Sequence, residues 1–563
     1  MRRLLLLTLA VPIWLAESGI GWAAPPSVAS NTGPSTAAQI AGLKAENAEL
    51  KARVDALTAA FERTQARLDQ VLPAALGPAG AAPAEVSATI PPDKAQVVGV
   101  AAAFPEPQPA LGPHTIRFGG LRFTPGGFFE AADIERSRNM VSDIGTNWNL
   151  IPFAGPAAAN TVQAAAHSSE NRFTSRQSRL SGLIEGEAGR NLTLGLYIEL
   201  DFQAAAQTAN STQSNSFNPR VREGYLTFDW QDQGLHFLAG QNWSLADLNG
   251  KGIEPRTEVV PGVIDALLVP GTNLVRQPQV RLAKAWRDDS LWTAISLENP
   301  ATTTVGAVPP NTTTAAPGEN GFDVANLVSI NRYPDVIGKI AFDGRSLGRT
   351  FHLEGYGILT NQTDRHPAGS DANNRRTDSV WTGGFGAGLL AELVPRDLDL
   401  QIAGLRGRGV GRYSAADLPA ATFHADGRLD PVPQTNWLAG LTWHVTRRLD
   451  AYGFAGREQQ DATGVQTLAG VNYGLGNPGL DARACAFEVT SQAPVGALCS
   501  VQTRSIQQET AGFWWRGADG SYGRLQWGLQ YSHTVRTSFA GLDNVAASGA
   551  EDIVMTSLRW YPF

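Results

Sequence analysis

The chain has 563 residues, a formal net charge of −7 and 17% charged residues, with 59 Gly and 14 Trp. The charge fraction lies below the ~25% of an average soluble domain. Beyond the N-terminus no apolar run reaches the ~20 residues of a membrane-spanning helix. No nucleic-acid partner is expected. Low charge, many Gly and Trp and no spanning helix suit a transmembrane β-barrel.

Residues 1–23 read as a secretory signal. Arg2 and Arg3 are followed by the apolar stretch Leu4 to Leu15, with Gly21 and Ala23 before a cut near Ala23. Export suits the two cysteines, Cys485 and Cys499, which are expected to form one disulfide in an oxidising compartment. No Cys-x-x-Cys motif or Cys/His cluster suggests a metal, and no cofactor is expected.

In the segment 24–72, residues 40–71 repeat in sevens. Ile40, Asn47, Val54, Phe61 and Leu68 fall on a, and Leu43, Leu50, Leu57, Thr64 and Val71 fall on d. This seam predicts a short coiled-coil helix and a parallel oligomer of two or three chains. Residues 73–113 are rich in Ala and Pro and read as a linker.

From residue 114 to 563 the period is two. In 192–203, Leu192, Leu194, Leu196, Ile198, Leu200 and Phe202 share one face, with Tyr197, Glu199 and Asp201 on the other. Residues 524–535 repeat the theme, with Leu525, Trp527, Leu529 and Tyr531 opposite Arg524, Gln526 and Gln530. Long segments near 137–170, 205–218, 246–275, 299–333, 361–378, 410–434, 460–503 and 537–549 alternate with tight turns. The turns are expected at 189–191, 231–234, 287–289, 343–345, 395–397, 446–448 and 518–520. Long loops at one end and short turns at the other are the asymmetry of an outer-membrane barrel. The fold expected is all-β, an antiparallel transmembrane β-barrel of about sixteen strands, eighteen being the alternative, with 115–136 as one strand. Arg220 and Arg222 share a phase with Leu226 and Phe228, and Arg406 and Arg408 with Leu400 and Ile402. Either the strands bulge, at Gly224 and Gly404, or these arginines sit above the membrane.

The last strand ends Leu558-Arg559-Trp560-Tyr561-Pro562-Phe563. Its terminal Phe563, with Tyr561 two before it, resembles the C-terminal signature of bacterial outer-membrane barrels. Ser557 and Arg559 stand where that signature has apolar residues. The resemblance implies that this strand closes the barrel and that the barrel-assembly machinery reads Phe563.

Gln177-Ser178-Arg179-Leu180-Ser181-Gly182, Tyr197-Ile198-Glu199-Leu200-Asp201-Phe202, Arg220-Val221-Arg222-Glu223-Gly224-Tyr225-Leu226, and Leu238-Ala239-Gly240-Gln241-Asn242-Trp243-Ser244 are similar to the DcaP-like porins. Arg276-Gln277-Pro278-Gln279-Val280-Arg281 and Leu297-Glu298-Asn299-Pro300 continue the resemblance. It covers residues 115–345 well and the rest by architecture. It implies a homotrimer in the outer membrane of a Gram-negative bacterium, with a periplasmic N-terminal coiled coil.

The expected function is a passive porin for small hydrophilic solutes, anions among them. A sugar- or phosphate-selective porin and a loop-based surface receptor are the alternatives. Pore-lining candidates are Arg179, Glu185, Glu199, Asp201, Glu223, Arg281 and Arg524. The loop 246–275 is expected to fold inward and narrow the channel, with Lys251, Glu254, Arg256, Glu258 and Asp265 as its charged residues. Opposed charges in a pore set a field that selects permeants. No Gly-x-Ser-x-Gly elbow is present, and the strand histidines His236, His352, His444 and His533 have no nucleophile pattern beside them, so no catalytic residues are expected.

Overall fold

The computed structural model describes residues 115–563 apart from 141, 154–166, 190, 205–217, 318–326, 369–370 and 488–491. The expected signal, coiled coil and linker lie outside the described residues.

Period-two segments become the wall of a closed barrel of 16 antiparallel strands. These are β1 (Leu121–Arg136), β2 (Glu170–Thr174 and Arg179–Glu187), β3 (Leu192–Ala204), β4 (Asn218–Trp230), β5 (Leu235–Trp243) and β6 (Arg276–Trp286). There follow β7 (Leu291–Glu298), β8 (Asp335–Ser346), β9 (Arg349–Ala368), β10 (Asp371–Val394) and β11 (Leu398–Arg408). The last five are β12 (Pro433–Thr446), β13 (Leu449–Gln460), β14 (Thr503–Gly520), β15 (Gly523–Ser538) and β16 (Ser548–Tyr561). Each strand pairs with its sequence neighbour, and β16 closes on β1 from Phe129↔Trp560 to Arg136↔Ile553. Closure leaves no sheet edge, which the bilayer requires.

The outer face is apolar and exposed, as at Leu194, Ile198, Leu226, Ile340, Leu441 and Leu529. Exposed Trp443, Trp515, Trp527 and Trp560 lie toward the turn end, with Phe173, Trp381, Phe385 and Trp437 toward the loop end. These are two aromatic girdles around a lipid-facing band. In β16, Ile553, Met555, Ser557, Arg559 and Tyr561 face inward and are buried, while Val554, Leu558 and Trp560 face out. Ser557 and Arg559 are thus lumen residues, both bonded to Glu130 of β1. Pro562 lies past the strand end, where its missing N–H costs no ladder bond.

Four expectations change, and a fifth, left open between two outcomes, resolves differently at its two sites. Segment 361–378 is strand rather than loop among the described residues, because β9 runs 20 residues to Ala368 and β10 runs 24 residues from Asp371. Its polar residues suggested a loop, but above the membrane they find partners: Arg365 and Thr313 exchange two backbone hydrogen bonds, and Asp364 accepts Leu429 N–H at 3.1 Å. The turn expected at Asp343-Gly344-Arg345 lies instead at Leu347-Gly348, both in the left-handed region. Asp343 is occupied inside the sheet, accepting Gly252 N–H and bonding His352. The turn expected at 518–520 lies at 521–522. Segment 115–136 is not one strand: Ile116–Phe118 folds back on Leu121–Phe123 at Gly119-Gly120. Finally, the arginine pairs part ways. The β3–β4 ladder shifts register between Glu199 and Leu200, at Arg222–Glu223, and turns Arg220 and Arg222 inward. No shift occurs at Gly404. Arg406 and Arg408 stay outside, near the loop end.

A constriction loop and its charged wall

The loop that follows β5, residues 244–275, lies within the barrel and is fastened to strands all round it. On one side Lys339 Nζ of β8 donates to Asp247 O at 2.5 Å and Asn249 Oδ1 at 3.0 Å, and pairs with Glu354 of β9 at 2.8 Å. Glu354 accepts Asn249 N–H at 3.1 Å, and Asp343 accepts Gly252 N–H at 2.8 Å. Next, Arg256 donates to Tyr225 of β4 at 3.2 Å and covers the Tyr197 ring of β3. The chain then crosses to the opposite wall. Trp514 Nε1 of β14 donates to Gly262 O at 2.8 Å, and Ile264 N–H to Gln530 of β15 at 2.5 Å. Last, Gly271 N–H reaches Glu458 of β13 at 2.9 Å. A Cβ on Gly271 would stand 2.0 Å from Trp437 O, and its φ of +93° also favours glycine.

Apolar packing holds this crossing. Val260, Val263, Ile264, Leu268 and Val269 of the loop pack on Ile134, Leu438, Phe454, Ile553 and Met555, all inward-facing wall residues. One arc of the lumen is therefore filled by a hydrophobic core.

The other arc, β2 to β6, is charged. The bulge delivers Arg220 to Asp201, at 3.0 and 2.6 Å, and Arg222 to Glu199 at 2.6 Å and Asp201 at 3.3 Å. Arg276 stacks 4.7 Å above the Trp243 ring, and Arg222 lies 5.8 Å from the same ring. Arg179 is buried and sits over Phe128 at 5.4 Å. Glu223 is buried beside Glu199 and Glu258. Arg281 donates to Gln279 Oε1 at 3.1 Å and Trp243 O at 2.5 Å.

Of the expected residues, the structure brings Arg179, Glu199, Asp201, Glu223 and Arg281 together with Arg256 and Glu258 of the loop. Burial raises the Glu258 carboxyl against the opposing pull of Arg281. Asp265, also raised by burial, accepts Thr146 N–H at 3.1 Å and ties the loop 137–169 to the constriction. Lys251 is exposed at the loop tip, and Glu254 serves through its backbone carbonyl, which accepts Thr257 Oγ1 at 2.7 Å. Two candidates stand apart. Glu185 pairs with Arg122 at 3.6 Å and Arg524 with Asp519 at 3.5 Å, both near the turn end. Arg220, Arg222, Arg276, Lys339 and Glu458 were missed, although the phase fault at Arg220 and Arg222 was a signal.

Glu458 fastens two loops at once. Its Oε1 accepts Gly271 N–H and Ala416 N–H, each at 2.9 Å, joining the constriction to the loop 409–432. Glu458→Ala should leave both donors unpartnered, at ~1–3 kcal/mol each. The expected outcome is noisier single-channel current and faster proteolysis of both loops, with Glu458→Gln close to wild type.

At the loop end Cys485 and Cys499 are joined by a disulfide. Around it Phe153, Ala482 and Ala547 pack from three loops, and Arg483 holds the Asp481 carboxyl well below the usual carboxylate range. Closing this short loop contributes ~3 kcal/mol in the chain-entropy model. Reduction should therefore expose 461–502 to protease and leave the barrel's heat resistance unchanged.

No family model and no curated protein matches the chain by sequence. Among solved structures, the outer membrane channel DcaP of Acinetobacter baumannii superposes with a TM-score of 0.53 at 16% identity, covering 79% of this chain and 99% of that one. OprB of Pseudomonas putida gives 0.42 at 8% identity, over 78% and 94%. An anion-selective porin from Comamonas acidovorans gives 0.39 at 10%, over 78% and 99%. The DcaP superposition gives the barrel the fold of an outer-membrane channel.

Proposed function

We propose that this chain is an outer-membrane porin of a Gram-negative bacterium, a passive channel for small hydrophilic solutes that favours anions. The observation that carries this reading is the loop 244–275. It crosses a barrel of 16 strands and sets its charged residues against the arginine-bearing arc of β2 to β6. A barrel of this size encloses an aqueous channel unless something fills it. Here one arc is filled with apolar side chains and the other with charge, which confines a permeant to the charged side. Arginines stacked on aromatic rings are held in place, so they act as a fixed field.

The barrel works with no catalytic group in this reading. The strand histidines are bound to carboxylates, His236 to Asp229 at 2.9 Å and His444 to Asp399 and Asp450 at 3.0 and 2.8 Å. The heptads of 40–71 are taken to join three copies on the periplasmic side, the barrel-assembly machinery to read Phe563, and outer-membrane lipid to surround the wall. Purified protein in a planar bilayer should give discrete conductance steps. Reversal potentials in a salt gradient should show anion preference. A barrel that inserts yet passes no current would overturn the porin reading in favour of a surface scaffold.

A further inference from the structure

Arg406 points out of the barrel, toward lipid. It stands opposite Phe385 of β10 and Thr435 of β12 in the ladder. Phe385 is 70% exposed, and Trp437, opposite Gly404 and so one step below, is also exposed. Arg406 thus sits level with the outer aromatic girdle. Strand length gives the same height. Eight residues after Leu398, at ~3.3 Å each and a tilt of ~40°, place it ~20 Å above the turn end, near the outer edge of a band ~25 Å tall. Arg408 is two residues further along the same face and is paired with Asp430 at 3.2 Å. The Arg406 guanidinium makes no hydrogen bond or ion pair with any described residue.

Directly below it the wall is hollow. A groove of about 430 Å³ is lined by Leu353, Ala387, Leu389, Ile402 and Gly404, and ends at Arg406. Small side chains at Ala387 and Gly404 make the depression, and larger ones on the flanking positions form its sides. An uncompensated guanidinium at the headgroup level above an apolar trough has the polarity of an anionic lipid, reversed in sign. The geometry points to a binding site for a phosphorylated lipid of the outer leaflet, with one acyl chain in the groove and a phosphate on Arg406. Arginine suits phosphate because its planar fork donates two parallel bonds.

A second groove provides an internal control. It is about 600 Å³, lies toward the turn end, is lined by Leu398, Leu441, Trp443 and Ala451, and carries Asp397 in place of a cation. It should have no preference for phosphate.

The test is native mass spectrometry of the full-length protein in detergent, with lipid A or dioleoylphosphatidylcholine added. The wild type should retain lipid A severalfold better than the zwitterionic lipid. Arg406→Gln should abolish that preference. Ala387→Leu, which fills the groove and keeps the charge, should lower lipid A retention severalfold, and Ala451→Leu should leave it unchanged. Unaltered single-channel conductance in all three variants would show that the barrel is intact. Equal retention of the two lipids by the wild type, or full lipid A retention by Arg406→Gln, would overturn the proposal. So would dissociation of the oligomer by Arg406→Gln or Ala387→Leu without loss of lipid, which would make the groove a contact between copies.

Discussion

Deleting residues 250–264 should raise single-channel conductance severalfold. The segment carries the loop across the lumen: it contains the Gly252 contact to Asp343, the Arg256 contact to Tyr225, and the Gly262 and Ile264 contacts to Trp514 and Gln530. Its removal should also lower thermal stability. Val260, Val263 and Ile264 are buried, and each contributes ~1.5–3 kcal/mol relative to exposure. Their loss would wet the inward faces of Leu438, Phe454 and Met555, which are apolar because the loop covers them. The deletion thus has two readouts with opposite signs, a larger current and a lower melting temperature in detergent. Unchanged conductance in an inserted barrel would mean that this segment does not obstruct the pore.

Much of this architecture is legible in the sequence, for a local reason. A strand with water or protein on one side and lipid on the other must alternate, so residues 192–203 declare their faces directly. The loop–turn alternation then orders the strands. The misplaced features depend on contacts that alternation does not encode. Asp343-Gly344 has turn chemistry, but Asp343 holds Gly252 and His352 within the sheet. Glu185 and Arg524 share the inward phase with Glu199 and Arg281, yet lie near the turn end. Alternation gives the face of a side chain but not its height, which the stagger between neighbouring strands sets. Glu458 is invisible for the same reason, since its partners Gly271 and Ala416 are far away in sequence. Arg220 and Arg222 show the opposite case. Their fault in phase was real information, and the bulge at Arg222–Glu223 is its cause.

The second large effect concerns selectivity, and its best probe is Arg276 rather than the expected pore-lining Arg281. Arg281 is buried and its guanidinium is engaged by Trp243 O and Gln279. Arg222 is the partner of two acids, so Arg222→Ala would leave Glu199 buried without its cation. Breaking a buried pair in this way costs ~3–5 kcal/mol, and the variant would report on folding before it reported on permeation. Arg276 differs from both. It is stacked on Trp243, and among the described residues no carboxylate lies within salt-bridge distance of it. No bonded acid cancels its positive charge, and Asp201 and Glu223 act on it only through space. Arg276→Ala should therefore raise the cation-to-anion permeability ratio severalfold, with little loss of stability. Arg276→Lys should keep the sign of the wild-type reversal potential, because it keeps the charge. The shift should be larger at 0.01 M salt than at 1 M, since the screening length falls from ~30 to ~3 Å between them. A reversal potential unmoved by Arg276→Ala at low salt would place the selective field elsewhere, with Arg256 of the loop the next residue to neutralise.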